Sequence, residues 1–192
     1  MKKDIILSGV GGQGILSIAT IIGEAATQAG LYLKQAEVHG MSQRGGDVQS
    51  NLRLSTEPIF SDLIPKGKTD IIISMEPMEA LRYLDCLAAD GIVVTSSKPL
   101  VNITNYPEEK QIIAELEKLP RTVKADTDAL AKDLNLPKGA NMILLGAIVE
   151  TLKPVKGETI IEALKHTISA RKANLLDLNL KAVEAGRKFV AG

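Results

Sequence analysis

The sequence predicts a three-layer α/β fold, in which a mostly parallel sheet lies between two layers of helices. Short apolar runs of strand length, such as residues 5–7 and 71–73, alternate along the chain with segments whose apolar residues recur at helical spacing. The first apolar run passes through a glycine-rich turn directly into such a helical segment. Alternating strands and helices favour parallel pairing, so the fold is expected to be Rossmann-like, with a helical C-terminal segment.

The turn between the first strand and the first helix contains four glycines and a glutamine, namely Gly9, Gly11, Gly12, Gln13 and Gly14. Three of the glycines fit the Gly-x-Gly-x-x-Gly spacing of phosphate-binding turns. Glycine lets the backbone turn sharply and approach a ligand, and a helix N-terminus directs N–H groups at an anion. A tight turn that binds no ligand would need some of the same glycines, so that alternative stays open.

A second glycine-bearing loop follows the next helix, residues 15–29, and a strand predicted at residues 32–38. It brings together a histidine, an arginine and small polar residues: His39, Ser42, Gln43, Arg44, Gly45 and Gly46. Arg44 is suited to a phosphate or carboxylate, because its guanidinium can donate two parallel hydrogen bonds. The alternative is a hairpin-like connection with a solvated arginine. Glu37 precedes this loop, where dinucleotide enzymes keep a ribose-binding acid, although a charge facing water at a strand end fits equally.

The later segments continue the alternation of strands and helices. Strands are predicted at residues 47–54 (half-exposed, because apolar and polar residues alternate), 70–75 (buried), 91–96 and 122–125, with a mixed signal for a β-excursion at 99–106. Helices are predicted at residues 76–88, 107–119, 126–134 with Asp126 as N-cap, 140–152, 157–169 and 171–190. We therefore expect one domain, 1–192, made of an α/β core (1–136) and a helical tail packed on it (137–192).

Composition limits the partners and cofactors of the chain. The 23 basic residues balance 23 acidic ones, so neither nucleic acid nor a membrane surface is indicated as a partner. The single cysteine, Cys86, excludes an internal disulfide and a cysteine-ligated iron–sulfur cluster held by this chain alone. The sequence shows no signal peptide and no apolar run long enough to span a bilayer, which indicates the cytoplasm.

The sequence offers little chemistry for transforming a substrate. It contains no nucleophile elbow, no P-loop lysine and no metal-spaced Cys/His cluster. His39 and His166 lie far apart in the sequence, and nothing pairs the carboxylates of Glu76 and Glu79 for acid–base work. We therefore predict no catalytic residue and no metal ligand in this chain, which points to a binding subunit.

Three segments together resemble a known family. They are the glycine turn at residues 9–14, the Ala-Glu-Val-His-Gly-Met-Ser-Gln-Arg-Gly-Gly run at 36–46, and Lys-Gly-Ala-Asn-Met-Ile-Leu-Leu-Gly at 138–146. The chain resembles the gamma-type domain of 2-oxoacid:ferredoxin oxidoreductases over nearly its whole length. Within that family it is most similar to the beta subunits of indolepyruvate ferredoxin oxidoreductases, with the pyruvate and 2-oxoglutarate gamma subunits close competitors.

The resemblance implies a complex that decarboxylates a 2-oxoacid on thiamine diphosphate, passes electrons through iron–sulfur clusters to ferredoxin and transfers the acyl group to coenzyme A. Thiamine diphosphate, Mg²⁺ and the clusters are expected on a larger alpha subunit, because this chain lacks the cysteines and the usual Gly-Asp-Gly segment. This chain would close the active site and be inactive alone. Its two glycine-bearing loops would meet at the carboxyl ends of strands 1 and 2 and help to bind coenzyme A. The apolar helical tail favours a homodimer when the chain is isolated.

Two other interpretations make different predictions. An NAD-dependent dehydrogenase would use the glycine turn and Glu37, and the chain alone would bind NADH and carry a catalytic base. A non-catalytic scaffold subunit would bind nothing at the turn, so a bulky residue at Gly11 would harm assembly but not the turnover of each assembled complex.

Overall fold

The computed structural model describes residues 1–39, 46–169 and 175–191, with only the backbone of residues 39 and 169. The strands are β1 (Lys2–Val10), β2 (Tyr32–His39), β3 (Asp47–Ser55), β4 (Thr69–Ser74), β5 (Leu87–Ser96) and β6 (Thr122–Ala125). The helices are α1 (Ile15–Gln28), α2 (Pro77–Leu81), α3 (Glu109–Glu117), α4 (Thr127–Asp133), α5 (Ala140–Ile148), α6 (Gly157–Ser169) and α7 (Leu176–Ala191). No helix in the described parts of the chain is long and apolar enough to cross a membrane.

The strands form one six-stranded sheet in the order β2-β3-β1-β4-β5-β6. The pairs β1–β4, β4–β5 and β5–β6 are parallel, whereas β3 runs antiparallel to both of its neighbours, β1 and β2. The mostly parallel α/β sheet predicted from the sequence is confirmed. We call the edge where the parallel strands end the carboxyl edge, and the opposite edge, where they begin, the amino edge.

Alternate residues of the central strands point to opposite layers of helices, as the two-residue period of a strand requires. Ile5, Leu7 and Ile71 belong to a large core with α1, α5, α6 and α7. Ile6 and Ile72, one residue along, pack instead into a smaller core with α2 and α3. The sheet is therefore covered on both faces, which explains the continuous isoleucine runs in its parallel strands.

Three sequence-based predictions were wrong. Strand β3 is not half-exposed: Asn51 and Arg53 are buried like their apolar neighbours, because β3 lies inside the sheet with helices on both faces. The helix predicted at residues 76–88 ends at Leu81, and β5 already begins at Leu87 after a short 3₁₀ turn. In addition, residues 97–108 contain no strand, so the β-excursion is absent.

The C-terminal helices form part of the main core. Every residue of α5 from Met142 to Ile148 is buried, and α7 crosses α5 at two glycines. A Cβ added at Gly186 would lie 1.9 Å from the carbonyl oxygen of Ile143, and one at Gly146 would lie 2.0 Å from that of Val183. The two helices therefore approach closely enough for backbone to meet backbone, which only glycine permits here.

Candidate functional site

The connections after β1 and β4 leave the sheet toward opposite faces. The turn after β1 leads into α1 on the face of the large core, and the turn after β4 leads into α2 on the other face. Because β1 and β4 are neighbours, a crevice opens between the two turns at the carboxyl edge. Such topological switch points are where open α/β sheets bind their ligands.

A cavity of about 360 Å³ lies at this switch point. It is lined by Gly12, Gln13 and Gly14 of the glycine turn, by Met75 after β4, by Asp128, and by Pro137, Lys138, Ala140 and Asn141 around the start of α5. The glycine turn predicted as a ligand site thus lines a cavity, together with a second segment, 137–141, that is distant in sequence.

The glycine turn is built by its own hydrogen bonds. The side chain of Gln13 accepts from the Val10 N–H at 2.7 Å and donates to the carbonyl oxygen of Met75 at 3.2 Å, so it joins the turns after β1 and β4. Gly9 leaves space for that amide, since a Cβ there would lie 2.9 Å from Gln13 Oε1. Gly12 and Gly14 adopt φ of 103° and 79°, where other residues are strained. These residues therefore hold the turn in one shape.

Two helix N-termini without side-chain caps flank this cavity. Helix α1 begins after Gly14 and α5 after Gly139, so neither N-cap has a side chain that could accept from the first-turn N–H groups, and neither first turn holds an acidic residue. In α5 the Asn141 side chain accepts from the Met142 N–H at 3.0 Å. Asn141 ties the two helices together by donating to the Gly14 carbonyl oxygen at 3.2 Å. Lys138 adds a positive charge, and no ion-pair partner for it lies within the described ranges. Although the exposed carboxylate of Asp128 also lines the cavity, two helix N-termini and a lysine favour negative charge, so the cavity suits an anion.

The second glycine-bearing loop lies at the same edge of the sheet as far as it is described. The Gly11 N–H donates to the Gly46 carbonyl oxygen at 2.8 Å, and Val10 pairs with Asp47 in the sheet. The glycine turn and the end of the second loop therefore meet at the carboxyl edge. Ser42, Gln43, Arg44 and Gly45 lie outside the described residues, as does the side chain of His39, so their part in the site stays a prediction.

Two buried carboxylates lie on the opposite side of the glycine turn, on the face of α2. Glu76 is fully buried and Glu79 is 3% exposed. The Nε of Arg82 lies 2.9 Å from each carboxylate oxygen of Glu79, with hydrogen-bond geometry only to Oε1. Burial raises the pKa of Glu79 despite this arginine. Burial and the nearby Glu79 and Asp47 likewise raise the pKa of Tyr83 to about 12.

The sequence reasoning missed how several of these residues contribute to the site. Glu76 and Glu79 were seen as carboxylates, but their burial depends on how α2 packs against β1 and β4, which local sequence does not show. Asn141 lies 127 residues after Gly14 in the sequence, and Lys138 is three residues before Asn141. Both come near Gly14 only because α5 docks beside α1. The sequence did contain one signal for this part of the site: Pro-Lys-Gly directly precedes a strongly apolar helix, so the helix starts beside a lysine and without a capping side chain.

The placement of Glu37 argues against the dinucleotide alternative. In a dinucleotide fold, the strand that carries the ribose-binding acid lies directly beside the first strand. Here β3 is inserted between β1 and β2, so the end of β2 is two strand spacings, roughly 9–10 Å, from β1. Glu37 is exposed on this outermost strand.

The comparison with protein families agrees with the fold. The model of the family described as pyruvate ferredoxin/flavodoxin oxidoreductase matches residues 4–189. The chain belongs to this family. It is 35% identical to the indolepyruvate oxidoreductase subunit IorB of Pyrococcus horikoshii, over 98% of this chain and 96% of that protein. The family and the enzyme class predicted from the sequence are thereby confirmed.

Solved structures share the fold over the whole chain. The gamma subunit of the keto/oxoacid ferredoxin oxidoreductase from Geobacter sulfurreducens is 24% identical with a TM-score of 0.75, over 100% of this chain and 97% of that one. The 2-oxoglutarate:ferredoxin oxidoreductase from Magnetococcus marinus, solved with 2-oxoglutarate, coenzyme A and succinyl-CoA, is 21% identical with a TM-score of 0.76. That match covers 99% of this chain but 31% of the longer chain.

Proposed function

We propose that this chain is the smaller, non-catalytic subunit of a complex that oxidatively decarboxylates an aryl 2-oxoacid such as indolepyruvate to an acyl-CoA and reduces ferredoxin. The likeness to an indolepyruvate oxidoreductase subunit supports this substrate class. The observation that carries the role of this chain is the cavity at the carboxyl edge, where two uncapped helix N-termini and Lys138 converge. The complex is proposed to act in the cytoplasm.

The reactive cofactors are proposed to lie on a larger alpha subunit. One cysteine cannot ligate an iron–sulfur cluster alone, and the described residues hold no group of three or more His, Cys, Asp or Glu placed for a metal ion. We therefore assign thiamine diphosphate, Mg²⁺ and the clusters to that subunit. The present chain would close over the active site and exclude water from it.

The anionic ligand of the cavity is proposed to be a phosphate-bearing part of coenzyme A. At about 360 Å³ the cavity is near the small end of ligand pockets, which span about 300–1,000 Å³. It can therefore receive the phosphate groups of coenzyme A, while the remainder extends to the surface or to the other subunit. The Lys138 ammonium and the N–H groups at the starts of α1 and α5 would bind the phosphate oxygens.

Co-purification of the tagged chain from its native cell tests the class of complex. We expect a large partner that carries thiamine diphosphate and iron–sulfur absorbance, and indolepyruvate-dependent ferredoxin reduction only in the complex. Turnover by the isolated chain would contradict the proposed division of roles, and capture of no such partner would contradict the complex itself.

Titration of the complex with coenzyme A tests the cavity. Lys138→Ala should weaken binding by about tenfold, the effect of losing a charged hydrogen bond of about 1.5 kcal/mol. Lys68→Ala, which removes an exposed lysine at the amino edge, is the matched control and should leave the affinity unchanged. Arg44→Ala tests the second loop in the same assay. Unchanged affinity in both Lys138→Ala and Arg44→Ala would favour a scaffold subunit whose turn binds nothing.

A further inference from the structure

The segment between β5 and α3 exposes apolar side chains at the carboxyl edge. Val101 is 70% exposed, Leu100 42% and Ile103 39%. Residues 97–106 contain one charged side chain, Lys98, whose Nζ lies 3.6 Å from Asp126 Oδ2. Single exposed apolar residues are ordinary, but here three lie within four positions, in a segment without a charged side chain. We call residues 99–103 the apolar loop.

A fully buried carboxylate holds the start of this loop and Tyr106, three residues after its end. Oε1 of Glu76 accepts from the Leu100 N–H at 3.3 Å and from the hydroxyl of Tyr106, and Oε2 accepts from the Glu79 N–H at 2.9 Å. Burial and Glu76 raise the pKa of Tyr106, so its hydroxyl remains a donor. Burying a carboxylate is costly unless hydrogen bonds compensate, and two of these three bonds serve to hold the loop. The loop is thus held in a defined conformation while its apolar side chains face solvent.

The loop lies at the same edge of the sheet as the proposed coenzyme A cavity. It follows the carboxyl end of β5, the next strand but one from β1, and it is tied to Glu76. Glu76 directly follows Met75, which lines the cavity and accepts the hydrogen bond from Gln13. The loop and the cavity are therefore linked at the carboxyl edge through two consecutive residues, Met75 and Glu76.

We propose that the apolar loop, held by Glu76, is a docking surface for the polypeptide that carries the thiamine diphosphate and the clusters. This inference rests on the proposed function, which requires those reactive groups to be brought to the carboxyl edge. In the solved 2-oxoglutarate:ferredoxin oxidoreductase, the part equivalent to this chain makes up 31% of a longer chain, so there the unit is joined to more than its own length of other polypeptide. An uncharged apolar surface fits an apolar surface on that partner.

Capture of the partner by tagged variants tests the docking surface. Val101→Asp should lower the affinity for the cofactor-bearing partner by about tenfold or more, because an ionised carboxylate would be buried unpaired in the interface. Phe60→Asp is the matched control: Phe60 is 95% exposed on the connector between β3 and β4, at the amino edge, so capture should be unchanged. Equal unfolding midpoints of both variants and the wild type would show that folding is unaffected.

The outcomes separate this inference from the proposed function. If the wild-type chain captures no cofactor-bearing partner, the proposed function fails. If the wild type and Val101→Asp capture the partner equally, the proposed function stands and the docking surface is wrong. Light scattering adds a third outcome: if Val101→Asp only converts an isolated homodimer to a monomer, a second copy of this chain is the occupant and the inference is overturned.

Hydrogen exchange gives a direct footprint and tests Glu76 as a positioning residue. In the wild-type complex, amides of residues 99–106 should exchange more slowly than in the free chain, whereas residues 57–64 should not change. Tyr106→Phe removes one of the two hydrogen bonds that fix the loop, so the Leu100 amide should exchange faster in the free chain and regain protection in the complex. Absence of protection in the wild-type complex would overturn the proposal.

Discussion

The amino and carboxyl edges of the sheet each bury carboxylates, but they neutralise them differently. At the amino edge, Asp4 accepts from Nε and Nη2 of Arg53 at 2.8 and 3.1 Å, and the other Nη of that arginine donates to the carbonyl oxygens of Ser61 and Leu63. At the carboxyl edge, Glu79 has the Nε of Arg82 near both oxygens but a hydrogen bond to only one, and the Arg82 side chain is half-exposed.

This difference separates stability from binding within one sheet. At the amino edge, the buried charges of Asp4 and Arg53 are satisfied by each other and by backbone carbonyl oxygens. The carboxyl edge leaves helix N-termini uncapped, a lysine without an ion-pair partner among the described residues, and an apolar loop exposed. Ligands and subunits are therefore expected at the carboxyl edge, as in other open α/β sheets. The following variants test that separation.

The largest loss of stability is expected for Arg53→Ala. It would leave the buried carboxylate of Asp4 without its bidentate partner, which costs about 3–5 kcal/mol of the free energy of unfolding. Urea denaturation measures this loss. The double variant Asp4→Leu/Arg53→Met should recover much of it, because no charge is then buried. A loss below about 1 kcal/mol in Arg53→Ala would show that Lys2, 2.7 Å from Asp4, compensates.

Gly186→Ala should affect both edges, because α5 begins at the cavity and ends near the amino edge. The added Cβ would meet the Ile143 carbonyl oxygen at 1.9 Å and force α5 and α7 apart, at a cost of about 2–3 kcal/mol. Coenzyme A binding by the complex should weaken as well, since the start of α5 lines the cavity. Calorimetry and ligand titration measure the two effects.

Gly157→Ala is the control for this crossing, since its Cβ would meet only side-chain atoms, Val149 Cγ1 at 2.9 Å and Glu150 Oε1 at 3.8 Å, and no backbone atom. It should change the free energy of unfolding by less than about 1 kcal/mol. A Gly186→Ala protein as stable as Gly157→Ala would mean that the helix crossing adjusts without strain.

The sequence was sufficient where local patterns and burial coincide. The glycine turn, the isoleucine run of β4, the short β6 and the N-cap Asp126, which accepts from the Ala129 N–H at 3.0 Å, follow from residue spacing alone. It failed for β3 because alternation of apolar and polar residues normally marks a strand with one wet face. Here Arg53 is polar and still buried, since its charge is matched by Asp4 from the neighbouring strand.

Only the part of the candidate site that carries local sequence signals was predicted. The glycine turn and the second loop carry local signals, and their nearness follows from parallel strand ends. Lys138 and Asn141 reach the cavity only because α5 docks next to α1, a contact between segments far apart in the sequence. Such contacts depend on how the helices pack, which no local pattern encodes.

Gly12→Ala and Gly30→Ala form a pair that separates backbone strain from binding. Both glycines have positive φ, 103° and 68°, and a Cβ at either would meet no other atom within 4 Å. Each substitution should therefore cost about 1 kcal/mol of stability from backbone strain alone. Only Gly12 lines the cavity, whereas Gly30 follows the distant end of α1. Coenzyme A binding should weaken only in Gly12→Ala, and equal weakening in both would show that general destabilisation is the cause.

The smallest expected effect is a pH dependence that originates at the carboxyl edge. Burial raises the pKa of Glu79 above its ordinary value of 4.5, so the folded chain retains this proton to higher pH than the unfolded chain. Its contribution to stability is therefore fully present below pH 4.5 and declines as the pH rises through that value toward the raised pKa. Glu79→Gln is neutral at every pH and can still accept from Arg82, so this part of the decline should disappear.

Urea denaturation at a series of pH values measures this difference, with Glu57→Gln on the exposed connector as the control. The stability of Glu79→Gln relative to the wild type should increase above pH 4.5, while the control should stay parallel to the wild type. If the free energy of unfolding depends on pH in the same way in all three proteins, Glu79 does not destabilise the carboxyl edge, and the two edges do not differ in this respect. If the curves diverge, ionised Glu79 destabilises the carboxyl edge. At the amino edge, pairing with Arg53 prevents the same effect for Asp4. A ligand or subunit that brings positive charge next to Glu79 would then stabilise the chain by offsetting this destabilisation.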